Sequence, residues 1–130
     1  MSYRDSYFHE FSNEPDTIEI KEKRIVIPTA ILIGHQTASA SEDFLIYLDN
    51  QKHIIKIGEA TFGSTGQPML FKLPGGGMAR VCTKKDTYPD GKEFVGYGIQ
   101  PDIKVQKSLI DYLGDEDPVL DKAIEYLNRR

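Results

Sequence analysis

The chain changes character at residue 25. Before it, apolar and charged positions follow one another without a period. Asn13-Glu14-Pro15-Asp16 is a turn signal and Glu19–Arg24 is dominated by charge, so residues 1–24 read as an irregular lead-in. Ile25–Gly34 is then a nearly unbroken β-branched and aliphatic run, the pattern of a strand buried on both faces. Pro28 cannot donate to a ladder, so the uninterrupted strand begins after it. From Ser39 to Asn50 the apolar positions Phe44, Leu45, Ile46 and Leu48 fall among Glu42, Asp43 and Asp49 with a period nearer 3.6, which predicts a helix. Ile54–Gly58 is the next strand. A strand reached through a helix is expected to pair parallel, by a right-handed crossover.

Further on, short apolar runs alternate with turn residues. Gly58–Gly66 is glycine-rich and polar, hence a loop. Met69–Leu73 and Met78–Thr83 bracket Pro74-Gly75-Gly76-Gly77, a hairpin with an elongated turn. Tyr88-Pro89-Asp90-Gly91 is a β-turn signature, and Ile103–Val105 a short strand. Apolar residues at 119, 120, 123, 124 and 127 mark an amphipathic helix, with acids before it and Arg129-Arg130 after it. The whole is an α/β pattern: a partly parallel sheet flanked by helices, plus a β-hairpin.

Composition narrows the function. A length of 130 residues suits one domain or part of one. Sixteen basic against twenty acidic side chains leave a net charge of −4, which argues against a nucleic-acid partner. No run approaches the roughly 18 apolar residues of a membrane span. The start Met1-Ser2-Tyr3-Arg4-Asp5 lacks the apolar core of a signal peptide. The single cysteine, Cys82, excludes an internal disulfide and reads as a small buried hydrophobe in a strand. Histidines at 9, 35 and 53 have no metal-ligand spacing, so no metal site is expected. Pro74–Gly77 lacks the strand–loop–helix context and the lysine of a phosphate loop.

The candidate chemistry lies in Thr37-Ala38-Ser39-Ala40-Ser41-Glu42, between the apolar strand and the helix. A serine at a helix N-terminus stands beside free N–H groups that stabilise an oxyanion. Serine is also a preferred N-cap, and Ser39 or Ser41 with Glu42 could simply start the helix. Spacing alone leaves both readings open.

Thr37–Glu42, Ile57-Gly58-Glu59-Ala60-Thr61-Phe62-Gly63 and Gly98-Ile99-Gln100-Pro101-Asp102-Ile103 follow one another in an order that resembles the catalytic domain of the tail-specific (C-terminal-processing) serine peptidases. Relatives of that family include the tricorn protease. The resemblance covers about residues 25–128. It implies an α/β fold of the ClpP–crotonase type and cleavage of a peptide or protein substrate through an acyl-enzyme, without a cofactor. It also implies an exported enzyme, periplasmic or extracellular. Ser39 matches the nucleophile, the amide of Ala40 matches one oxyanion donor, and Ser41 reads as a helix-start residue. The general-base lysine of the Ser–Lys branch falls at Ser64. The chain therefore looks more like the tricorn-type branch, which takes a histidine from an earlier segment and a glutamate near Gly-Ile-x-Pro-Asp. Glu93 is the nearest upstream carboxylate. His35 is expected on the far side of the turn from Ser39, and His9 belongs to the lead-in.

The family's earlier half carries an Asp-x-Arg-Gly-Asn-type motif, often with a PDZ module, and neither pattern occurs in residues 1–38. Residues 25–130 are accordingly expected to be the C-terminal part of a serine-peptidase catalytic domain. Its base would come from a missing N-terminal part, and uncovered apolar surface would drive homo-oligomerisation. The alternative is a non-catalytic ligand- or peptide-binding domain on the same fold, with which the absence of lysine at position 64 is compatible.

Overall fold

The structure, a computed structural model, describes residues 26–129. The lead-in and His9 therefore lie outside the described residues. In chain order the elements are β1 (Thr29–Ile33), α1 (Ala40–Tyr47), β2 (Ile54–Gly58), β3 (Pro68–Lys72), β4 (Met78–Cys82), β5 (Ile103–Lys104), α2 (Leu109–Leu113) and α3 (Pro118–Asn128).

β1, β2 and β5 form a parallel sheet in the order β1-β2-β5, in register Leu32 to Ile57 and Ile57 to Ile103. The β1–α1–β2 unit thus has the expected parallel pairing, and β1 begins just after Pro28. One face of the sheet packs Ile31 and Ile33 with Leu45 of α1, Phe94 and Ile99. The other packs Ile57 with Val119 and Ala123 of α3. Asp117 starts α3 by accepting the N–H groups of Val119 and Leu120 at 3.1 and 3.2 Å, ahead of Pro118, whose missing N–H needs no partner there. β3 and β4 pair antiparallel as a separate ribbon, closed by a bond from the Leu73 N–H to the Gly77 carbonyl at 2.8 Å.

Four features differ from the sequence expectation. β1 is not buried on both faces. β2 is the central strand, and β1 pairs with β2 alone among the described residues, so Leu32 stays 41 % exposed. The apolar stripe of α3 is also only half covered, since Leu120, Ile124 and Leu127 remain exposed. Cys82 is exposed rather than buried, because the β3–β4 ribbon carries no second layer and Met69, Leu70, Met78 and Val81 are exposed with it. The short helix α2 was not anticipated. It is set by Ser108, whose hydroxyl accepts the Asp111 N–H at 3.3 Å while Asp111 accepts the Ser108 N–H at 2.6 Å.

Candidate active site

β1 ends at Ile33, and a turn closed by the Thr37 N–H on the Gly34 carbonyl at 2.8 Å brings the chain round to Ser39, the N-cap of α1. Ser39 has φ 58° and ψ −125°, a strained conformation for a residue with a Cβ. A sharp strand-to-helix turn of this kind lifts a serine side chain clear of its own backbone. Ser39 is exposed, and its hydroxyl faces the Glu42 N–H in the manner of a capping box without closing a hydrogen bond to it. Ala40, the first helical residue, leaves its N–H without an acceptor among the described residues. An unengaged hydroxyl beside a free N–H at the positive end of a helix is the geometry that attack on a carbonyl requires.

What holds Ser39 in this conformation is Glu42, which is completely buried. Its Oε2 accepts the N–H of Ser39 at 3.1 Å and of Ser64 at 2.8 Å. Its Oε1 accepts the N–H of Gly63 at 2.7 Å and the Thr61 hydroxyl in a very short bond. Thr61 in turn accepts the Ile99 N–H at 2.7 Å, and the Ser39 N–H also reaches the Ser64 carbonyl at 2.9 Å. One carboxylate therefore fastens the Ser39 turn to the loop after β2 and, through Thr61, to the Gly98–Asp102 segment. Close backbone approach completes the clamp. Gly98 has φ 76°, and a Cβ there would stand 2.1 Å from the Thr61 carbonyl oxygen. Beyond the loop, the Thr65 hydroxyl lies 3.0 Å from Asp43 and 3.2 Å from Asp86. Lys84 bonds to Asp86 at 2.8 Å, which raises the Lys84 pKa.

Ser39, Ala40 and Ser64 come together at this turn. Glu93 does not join them: it is exposed, bridges to Thr87 across a short antiparallel pair, and bonds to Lys85 at 2.5 Å. His35 packs its ring on Phe62, with centroids 5.1 Å apart, and makes no hydrogen bond to Ser39. The four-donor role of Glu42 was not foreseen. Its sequence signal was slight: an acid three residues after a candidate N-cap, which equally suits a helix start.

Residues 2–105 match the family described as peptidase family S41. The chain belongs to this family. A carboxyl-terminal-processing protease of Picosynechococcus is 37 % identical over 86 residues, covering 65 % of this chain and 20 % of that protein. Among solved structures, a protein of Parabacteroides merdae described as a candidate peptidase superposes with a TM-score of 0.70 at 24 % identity, over 83 % of this chain and 34 % of that one. The tricorn protease does so with a TM-score of 0.65 at 23 % identity, over 75 % of this chain and 10 % of that one. These two likenesses show the fold, an α/β architecture shared with S41 and tricorn-type peptidases. The chain spans about a fifth of the length of the curated relatives it matches, 19 % and 20 % of the first two.

Proposed function

We propose that this S41 chain carries the nucleophile and one oxyanion donor of a serine endopeptidase. The observation that supports it best is Ser39 itself: a strained, exposed N-cap serine whose hydroxyl is unengaged, next to the free N–H of Ala40. Ser39 Oγ attacks the scissile carbonyl, and its proton passes to a base. The carbonyl oxygen becomes an oxyanion held by the Ala40 N–H, and collapse expels the amine with that proton and leaves an acyl-Ser39 for water to hydrolyse.

Among the described residues no histidine or lysine nitrogen hydrogen-bonds to the Ser39 hydroxyl, and Ser64, whose carbonyl touches the Ser39 N–H, cannot serve as a base. The base in this reading comes from residues outside the described ones, as does the second oxyanion donor. Glu93 is assigned to orienting that base, which requires it to release Lys85. The setting is periplasmic or extracellular. Fluorophosphonate labelling of the complete gene product tests the reading: stoichiometric labelling abolished by Ser39→Ala is expected, and labelling that survives that substitution refutes it. The serine at position 64 favours the second reading, a peptide-binding domain without hydrolysis, which the same experiment separates because such a domain binds peptide and does not label.

A further inference from the structure

Two elements of the fold leave their apolar side chains uncovered among the described residues, and they carry opposite charge. The β3–β4 ribbon pairs with no other described strand, and a two-stranded ribbon by itself is marginal in water. Its register sets Leu70 opposite Arg80 and Lys72 opposite Met78, so these four side chains share one face. Lys72 and Arg80 lie on a diagonal of roughly 7–8 Å, which makes both of them neighbours of Leu70 and of Met78. All four are exposed. Residues 60–85 contain Lys72, Arg80, Lys84 and Lys85 and no acidic residue, in a chain whose net charge is −4. Lys84 and Lys85 are taken by Asp86 and Glu93, whereas Lys72 and Arg80 have no ion-pair partner among the described residues.

Helix α2 has the opposite sign. Its five residues are too few to hold a helix unaided. Ile110 and Leu113 are nevertheless 80 % and 81 % exposed, more than any other large apolar side chain among the described residues, and Leu109 and Tyr112 are exposed beside them. Residues 108–121 contain Asp111, Asp115, Glu116, Asp117 and Asp121 and no base. Asp111 is bonded to Ser108 and Asp117 to Lys107. Asp115 and Glu116, directly after the helix, are exposed and have no partner among the described residues.

We infer that α2, with the two acids after it, docks on the Leu70–Arg80 face of the β3–β4 ribbon of a second copy of this chain. Both surfaces are exposed in the same chain, so they do not cover each other there. Contact between copies buries Ile110 and Leu113 against Leu70 and Met78, and sets Asp115 and Glu116 against Lys72 and Arg80. Burial supplies the driving force and charge selects the pairing, because ribbon on ribbon or helix on helix would bring like charges together. The other face of the ribbon, with Met69, Phe71, Ala79 and Val81, carries no charge and offers no such selection. An anionic membrane would take the ribbon and leave α2 bare. Each copy carries both halves, so two copies can exchange two such contacts. The inference is independent of Ser39 and holds whether or not the chain is a peptidase.

Sedimentation velocity of the 130-residue chain tests it. The parent should self-associate, and less tightly as salt rises. Lys72→Glu with Arg80→Glu should weaken association about tenfold, since two exposed ion pairs become two repulsions, and Asp115→Lys with Glu116→Lys should do the same. An equimolar mixture of these two double variants should regain parental affinity, because each offers the other a complementary surface, and so should a single chain carrying all four substitutions. Lys52→Glu, in the turn between α1 and β2, should change nothing. A monomeric parent overturns the inference, as does a loss of association that neither the mixture nor the fourfold variant restores. Association that survives both reversals unchanged also overturns it and places the contact elsewhere on the chain.

Discussion

Glu42→Gln is the most direct probe of what holds the Ser39 turn. Glutamine keeps the shape of the side chain but replaces one acceptor oxygen by an NH₂ group. In one orientation that NH₂ faces the N–H groups of Ser39 and Ser64; in the other it faces the Gly63 N–H and the Thr61 hydroxyl. The Thr61 hydroxyl already accepts the Ile99 N–H, so turning it does not rescue the backbone donor beside it. At least one buried N–H is therefore stranded, at about 1–3 kcal/mol, and charge-assisted bonds of about 1.5–3 kcal/mol each revert to weaker neutral ones. Glu42 is fully buried, so solvent screening does not soften the loss. The expected cost is about 3–5 kcal/mol, a large share of the roughly 5–15 kcal/mol that stabilises a typical domain. The melting temperature should fall by about 10–15 °C. Urea unfolding followed by circular dichroism reads the energy. Amide hydrogen exchange reads the place, with Ser39, Gly63 and Ser64 losing protection first. Should E42Q fail to fold, Thr61→Val removes one donor and one acceptor and gives a milder loss at the same amides. A change within about 0.5 kcal/mol, with those three amides as protected as in the parent, refutes the argument.

Ser64→Lys alone should not create peptide hydrolysis in this chain, because a base lysine needs a desolvated setting that lowers its pKa, and position 64 sits on a partly exposed loop; turnover of a fluorogenic peptide by S64K would contradict this. Asp117 has its pKa lowered, first by the bond to Lys107 and then by the helix N–H groups it caps, so its contribution is fully present above the ordinary carboxylate pKa of about 3.9 and is lost as pH falls through the lower folded-state value. The melting-temperature gap between the parent and Asp117→Ala should accordingly be full near neutral pH and close in strong acid; a gap independent of pH would show that the charge is not what caps α3. Self-association is expected through the edge of β1 that no described strand pairs, beside Leu32, Leu120, Ile124 and Leu127, and light scattering at high concentration should report a dimer or larger species; a monomer would overturn this expectation.

The elements legible in the sequence are those whose cause is local. Ile54–Gly58 is a strand with the bounds its β-branched run suggests, Pro28 stops β1 from starting earlier, and of the apolar positions 119, 120, 123, 124 and 127 it is 119 and 123 that pack on Ile57. Hydropathy shows that a segment is apolar and is silent on what covers it. For that reason Ile25–Gly34 reads as a buried strand whereas, among the described residues, Leu32 lies at an edge, and Cys82 reads as buried whereas no other described element covers its ribbon. Helix α2, with Leu109, Ile110 and Leu113 all exposed, has no periodic signal because it has no face to hide.

The Ser39 turn divides along the same line. That Ser39 sits at a strand-to-helix junction follows from a local switch of period, and the position was legible. That it can persist at φ 58° does not follow from any local feature, since the isolated turn gains nothing to offset the strain. The compensation comes from Glu42, whose partners Thr61, Gly63 and Ser64 lie 19, 21 and 22 residues away, on a loop that must close first. Gly98 lets that loop approach, and Thr61 passes the constraint on to the backbone at Ile99. The resemblance to S41 peptidases singled out Thr37–Glu42, Ile57–Gly63 and Gly98–Ile103 as three separate motifs; in the fold they are the three sides of one clamp around a single buried carboxylate. Ser39 keeps its strained conformation because those segments meet, so a substitution at Thr61 or Gly98 should loosen the Ser39 turn as surely as one beside it.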